Sequence, residues 1–319
     1  MMTSPHDRRA FKNSFMTKKF LFFAVIVAIS VIGLIFYREP VKIAAPPIFS
    51  SSETATSTLR VIFFDVGQGD SALIITPQDK TILVDGGPDD KVLSKLGKYL
   101  PLNQRRIDYM ILSHPHADHL DGLVSVLKRY DVGVVYYSGV PHTTYAFIEW
   151  LQLIKEKNIV MKIIGKPQIL ELDSKVKLDF LYPGKDLSGL DLKGQEESKF
   201  VKNNNLNNVS IIFKLIYGQT KFLFTGDAEM PVEKELLKNK ANLLADVLKV
   251  AHHGSHSSTG DKFLQAIQPK MAVISSGLGN DFGHPHSRTL RRLERHGVKI
   301  FRTDEMGDIE MESDGKAIK

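Results

Sequence analysis

The 319-residue chain contains no cysteine. That absence excludes a disulfide framework, a thiolate zinc site and a thiol nucleophile. It leaves the compartment open, because many exported proteins of this size need no disulfides. Any transition metal would have to be held by histidines and carboxylates. Internal repeats and heptad runs are also missing, so the sequence gives no sign of a solenoid or a coiled coil. A charge excess is missing from most of the chain. The formal net charge is +6, but residues 1–42 hold seven basic groups (Arg8, Arg9, Lys12, Lys18, Lys19, Arg38, Lys42) against Asp7 and Glu39. Removing these from the totals of 42 and 36 leaves 35 basic and 34 acidic residues. Bulk charge is therefore a poor argument for a DNA-binding surface on the remainder.

What is present begins with one long apolar run, Phe20 to Tyr37, interrupted only by Ser30 and Gly33. As a helix it would span about 27 Å, close to a bilayer's hydrocarbon core. Five basic residues precede it, which predicts a cytoplasmic N-terminus (1–19), a transmembrane helix (20–37) and an extracellular remainder at the cell membrane. A cleaved signal peptide is the alternative, but its apolar region is usually shorter, and Ala44-Ala45 is distant from the run. Residues 38–58 are rich in Pro, Ser, Thr and Ala and read as a flexible linker.

From Leu59 to Lys319 the pattern becomes that of one mixed α/β domain. Short β-rich runs at Leu59–Phe64, Ser71–Thr76 and Thr81–Val84 predict a meander. Helices are expected at Lys91–Leu100, Leu120–Arg129, Tyr145–Lys157, Pro231–Lys240, Asp261–Ile267 and Ser287–His296. Further strands are expected at Tyr109–Leu112, Val132–Tyr137, Val247–Val250, Met271–Ile274 and from Lys299 onward, with a hairpin of Val209–Tyr217 and Lys221–Phe224 around Gly218-Gln219. Meander strands and helices in both halves predict two packed sheets flanked by helices. The polar segment 184–207 reads as a mobile loop.

Eight of the eleven histidines fall in three short clusters, each at the end of an expected strand or before an expected helix. The densest is Ser113-His114-Pro115-His116-Ala117-Asp118-His119. In an extended turn His114 and His116 project to the same side, so both can bind one ion, and Asp118 and His119 can reach a second. The others are Ala251-His252-His253-Gly254-Ser255-His256 and Gly283-His284-Pro285-His286. Asp227, in Thr225-Gly226-Asp227, could bridge two cations, although Asp beside Gly is more often a plain turn.

These clusters resemble the metallo-β-lactamase superfamily, whose most specific motif is HxHxDH. Asp85, in Leu83-Val84-Asp85-Gly86-Gly87, matches the early strand-end Asp that supports the metal ligands, and Asp227 matches the bridging Asp. The stretch Phe64-Asp65-Val66-Gly67-Gln68-Gly69-Asp70, with the motifs at 225–227, 252–255 and 283–286, is similar to the extracellular metallo-β-lactamase domain of ComEC/Rec2 competence proteins. Teichoic-acid phosphorylcholine esterases are similar at the same places. The resemblance covers about residues 60–312. It departs at three points. The multi-helix channel region of competence transporters has no counterpart, His116 stands where many of those relatives carry Asp, and Asn207-Asn208-Val209-Ser210 stands where the superfamily's usual third-motif His would be.

The resemblance implies an αββα metallo-β-lactamase sandwich preceded by one N-terminal transmembrane helix, with two divalent metal ions, zinc before manganese or iron. His114, His116 and either His252 or His253 would hold the first ion. Asp118, His119 and His284 would hold the second, with Asp227 between them and Asp65 and Asp85 behind the ligands. The chemistry implied is metal-assisted hydrolysis, with Asp118, His253, His256 and His286 as candidate catalytic groups. Ser255, Ser257 and Asn208 are candidate hydrogen-bond donors to a phosphate. The activity implied is that of a membrane-anchored extracellular phosphodiesterase acting on DNA in a competence or DNA-uptake-like role. The alternatives are hydrolysis of cell-wall phosphodiesters or small esters, and a non-catalytic module docking on a DNA-uptake channel protein.

Overall fold

The structure is a computed structural model that describes residues 58–188 and 205–319. The expected N-terminal tail, transmembrane helix and nearly all of the linker lie outside these residues, as does most of the expected loop at 184–207. Among the described residues no helix is long and apolar enough to cross a membrane.

Among the described residues, fourteen strands form two seven-stranded sheets. In chain order the first sheet takes β1 (Leu59–Phe63), β2 (Ala72–Ile75), β3 (Thr81–Val84), β4 (Arg106–Leu112), β5 (Asp131–Tyr137) and β6 (Val160–Ile163). The second takes β7 (Gln168–Glu171), β8 (Val176–Tyr182), β9 (Ile212–Tyr217), β10 (Thr220–Phe224), β11 (Val247–Lys249), β12 (Met271–Ile274) and β13 (Lys299–Arg302). The last strand, β14 (Ile309–Ser313), returns to pair antiparallel with β1. The first sheet runs β14-β1-β2-β3-β4-β5-β6 and the second β13-β12-β11-β10-β9-β8-β7. Each begins as an antiparallel meander or hairpin and continues in parallel, from β3 to β6 and from β10 to β13.

The side-chain period of two decides which layer each residue enters. Val61, Phe63, Ile74, Ile82 and Ile111 meet Leu178, Phe180, Phe213, Phe222, Phe224 and Val273 in the core between the sheets. Their neighbours Ile62, Leu73, Leu83, Met110 and Leu112 face the opposite way, onto helices α1 (Lys91–Tyr99), α2 (Ala117–Arg129) and α3 (Tyr145–Glu156). Leu223, Leu248, Ala272 and Ile274 likewise face α4 (Met230–Lys238), α5 (Asp261–Ile267) and α6 (Ser287–Arg295). The result is the four-layer αββα arrangement expected from the sequence. A short helix, α7 (Thr303–Met306), precedes β14.

Three strands, β6, β7 and β8, were not among those expected from the sequence. β6 and β7 are edge strands whose residues are nearly all exposed, so they lack a hydrophobic pattern. β8 does alternate, with Val176, Leu178, Phe180 and Tyr182 buried, and its signal was available. Helix α2 begins at Ala117, three residues before the expected start, and so carries Asp118 and His119 on its first turn.

The seating of α2 depends on a close backbone approach. A Cβ at Gly122 would lie 1.9 Å from the carbonyl oxygen of Gly86. Gly122 N–H also donates to Gly87 O at 3.0 Å. Alanine in a helix interior normally stabilises by about 1 kcal/mol over glycine. Here Gly122→Ala should reverse that sign and destabilise by about 1–3 kcal/mol, the range for overpacking. Chemical denaturation of the variant checks it; a gain in stability would contradict the contact.

Candidate metal centre

The site lies where the parallel strands of both sheets end. Asp85 follows β3, Ser113 to His116 follow β4, Asp227 follows β10, His252 and His253 follow β11, and Ser275 follows β12. Carboxyl ends of parallel strands present loops to one side of a sheet, the usual position of a site in such folds.

Asp118, His119, Asp227 and His253 converge so that one ligand atom from each lies within 4.8 Å of the others. His253 Nε2 is 3.0 Å from Asp118 Oδ2 and 3.5 Å from Asp227 Oδ2. His119 Nε2 is 3.4 Å from Asp227 Oδ1. His114 Nε2 is 3.8 Å from Asp227 Oδ2 and 3.0 Å from His116 Nδ1. His114, His119, Asp227 and His253 are all buried.

The rings are aimed by partners behind them. Asp85 Oδ2 lies 2.9 Å from His119 Nδ1, and the same carboxylate accepts hydrogen bonds from Ser113 N–H and Ser113 Oγ–H. The carbonyl oxygen of Ser275 lies 3.0 Å from His253 Nδ1 and can only accept, so that nitrogen donates. When neutral, both rings then offer Nε2 lone pairs to the centre. Asp70 lies 3.2 Å from His253 Nδ1 and pairs with the buried Lys249 at 2.7 Å. Sequence reasoning missed Asp70 and Lys249. Asp70 is set by its neighbour Gly69, which has φ +151° and where a Cβ would lie 2.4 Å from the carbonyl oxygen of Asp118.

These residues fit a metal by their donor chemistry. His119 Nε2 and Asp227 Oδ1 are buried with no hydrogen-bond partner among the described residues. Orphaned donors and acceptors at such depth cost about 1–3 kcal/mol each unless something binds them. Burial opposes charge on His253, yet Asp227 and Asp70 push it up to about 10. Burial is likewise overcome at His119, which Asp227, Asp118 and Asp85 hold well above the ordinary imidazole range. Asp118 and Asp227 are held below the carboxylate range despite burial, by His119 and His253. His114 is pushed well below its ordinary value by burial and by the charge of His119.

The remaining candidates lie around this centre. His253, expected beside His114 and His116, stands on the Asp118–His119 side. His252 turns away to Glu229, with Nδ1 3.3 Å from its carboxylate. The separation arises from backbone: His252 and His253 both have φ +52°, a left-handed conformation rare for residues with a Cβ. No sequence signal distinguishes the two. His284 is half-buried, its ring 6.3 Å from that of His253, and burial and His253 push it down to about 4. His256 and His286 form a pair 5.1 Å apart, and His286 Nδ1 caps α6 through Arg288 N–H. Ser255 and Ser257 bond to each other, and Ser257 donates to Glu229. Asn208 is buried and accepts Glu229 N–H through Oδ1, so it holds the loop carrying Glu229. Asp65 accepts Gly67 N–H in a local turn, and Asp70 of the same motif is the one that reaches a ligand.

The sequence profile of the metallo-beta-lactamase superfamily matches residues 64–277. The chain belongs to this superfamily. It is 29% identical over 267 residues to the ComE operon protein 3 of Bacillus subtilis, covering 78% of this chain and 32% of that one. It is 31% identical over 254 residues to the competence protein ComA of Neisseria gonorrhoeae, covering 78% and 32%. A shorter match, 31% over 68 residues, joins it to the exodeoxyribonuclease YycJ of Bacillus anthracis, covering 21% of this chain and 26% of that one. The chain thus spans about a third of the length of the competence proteins it matches.

Two protons on His119 and His253 balance Asp118 and Asp227 in this superfamily site. One divalent ion carries the same charge and needs both nitrogens free. Metal uptake at neutral pH should therefore release about two protons per chain, and affinity should weaken as pH falls. Titration calorimetry in buffers of different ionisation enthalpy measures this directly. Uptake without proton release would contradict the charge balance.

Proposed function

We propose that this protein is a metal-dependent phosphodiesterase that acts on DNA outside the membrane, in a competence or DNA-uptake-like role. The observation that carries the reading is the convergence of Asp118, His119, Asp227 and His253, in which His119 Nε2 and Asp227 Oδ1 are buried with no hydrogen-bond partner among the described residues. The competence relatives and the exodeoxyribonuclease match support the substrate class. A basic flank before the apolar run supports anchoring by residues 20–37 with the domain outside.

Asp118, His119, His253 and Asp227 would hold one divalent ion, and His114, His116 and Asp227 the other. Zinc suits the mixed imidazole and carboxylate set, which also accepts manganese or iron. Bound there, a pair of ions would acidify a water and neutralise charge on a phosphoryl group. The protein's own contribution is orientation. Asp85 and the Ser275 carbonyl fix the rings of His119 and His253. His284 stays neutral at pH 7, so its ring could ligate a cation. His256, exposed and beside His286, would give a proton to a leaving oxygen. Ser255 and Ser257 supply hydroxyls beside His252.

The test is a substrate panel with full-length protein loaded with zinc, manganese or iron. Single-stranded DNA, duplex DNA and a bis-aryl phosphodiester are offered beside a β-lactam and a thioester. Phosphodiester cleavage should dominate, and Asp227→Ala should lower it at least about 100-fold, since loss of one preorganised charged group typically costs that much. Faster hydrolysis of the β-lactam or thioester would overturn the reading. Metal binding with no hydrolysis would favour a docking module.

A further inference from the structure

The loop between β12 and α6 carries two large apolar side chains in the open. Leu278 is 85% exposed and Phe282 is 70% exposed. Neither contributes to any of the cores, so burial does not account for them. Isolated exposed apolar residues are common on protein surfaces. Phe282 differs because its position is fixed. Asn280 accepts Phe282 N–H and His284 N–H through Oδ1, and its amide donates to the carbonyls of Gly277 and His284. The loop is tied at both ends to the loops of the metal centre. Gly277 N–H donates to Gln68 Oε1, and His286 N–H donates to Gly254 O.

Phe282 stacks on His284 with centroids 6.0 Å apart and an interplanar angle of 24°. His284 in turn lies 6.3 Å from His253, inclined by 34°. Three rings therefore lead from the surface to the ligand cluster. Beyond the loop, α6 buries Thr289, Arg292 and Leu293. Arg288, Arg291 and Arg295 follow the spacing of the opposite helix face and are exposed. Arg295 pairs with Asp261, whereas Arg288 and Arg291 have no ion pair among the described residues. The loop's one acid, Asp281, is outnumbered by them. An open aromatic ring stacked on His284, followed along the chain by unpaired cations on the outer face of the next helix, has the chemistry of a single-strand platform: base against ring, phosphates against guanidinium.

We propose that Phe282, with Arg288 and Arg291, forms a stacking platform for an unpaired base of single-stranded nucleic acid held at the metal centre. A duplex keeps its base faces stacked on one another and offers none to Phe282. The proposal rests on the DNA-phosphodiester reading above and adds to it a preference for single strands.

The experiment measures binding by fluorescence anisotropy, using metal-loaded full-length protein and a hydrolysis-resistant phosphorothioate oligonucleotide. Three probes are compared: the single strand, the same strand with abasic sites, and the duplex. Phe282→Ala should weaken single-strand binding about tenfold, within the range for loss of one base–aromatic stack. Phe282→Trp should keep it. The abasic strand should bind both proteins alike, and Arg288→Ala with Arg291→Ala should flatten the salt dependence. Unchanged thermal unfolding of Phe282→Ala confirms an intact fold. If Phe282→Ala binds the single strand as tightly as wild type, the platform is overturned, while wild-type cleavage of DNA keeps the phosphodiesterase reading. An equal loss on duplex and single strand also overturns it. A wild type that neither binds nor cleaves nucleic acid removes both.

Discussion

Asp227 between His114, His119 and His253 is the interaction on which the rest of the site depends. A buried carboxylate without compensation is costly, and so is a buried imidazolium. Placed together, with Asp118 as the second anion, they stabilise one another's charge. The sheets bring them there. β10 ends in Asp227, β4 leads to His114 and His119, and β11 leads to His253. The two sheets must therefore be closely seated for the compensation to exist. Their shared core of Phe63, Ile111, Phe180, Phe213, Phe222 and Phe224 fixes that seating, including the stack of Phe63 on Phe224 between the sheets at 5.7 Å.

A second ring of charge supports the first. Asp85 holds His119, and Asp70 holds His253 while pairing with Lys249. Both carboxylates are buried and both stand beside a tight turn. Asp85 itself has φ +56°, and Asp70 follows Gly69. Unusual backbone at Asp85, His252 and His253 costs about 1–3 kcal/mol per residue and persists only where surrounding contacts over-determine it. The hydrogen bonds from Ser113 to Asp85 and the ion pairs of His253 with Asp118 and Asp227 supply such contacts here.

The sequence made the sandwich and the central histidine and aspartate cluster readable because each rests on a short-range pattern. Alternating apolar residues at Val61–Phe63 and Phe222–Phe224 disclose their faces by period alone. HxHxDH discloses itself by density. What stayed hidden depends on three-dimensional relations with no local trace. The choice between His252 and His253 is made by a left-handed turn. The role of Asp70 emerges only when the 64–70 loop folds over α2 and β11, and Asp65 is the more conspicuous residue in that stretch. Asn208, which looks like a free donor in a polar string, is engaged as an acceptor: its Oδ1 takes Glu229 N–H and its backbone carbonyl takes the Tyr182 hydroxyl proton. The edge strands β6 and β7 carry no pattern because their faces are mostly open.

Taken with its relatives, the chain pairs a compact hydrolase site with a surface that is neutral in sum but uneven in detail. On the proposed reading, attraction for a phosphate would arise locally, from the centre and from the outer face of α6. All of this requires that the histidines and aspartates at the strand ends hold metal. Elemental analysis of the purified full-length protein, reconstituted with zinc, manganese or iron and dialysed, measures that requirement most directly. The account predicts about two ions per chain, the number the ligand set supports on either side of Asp227. A stoichiometry of zero after reconstitution would contradict it.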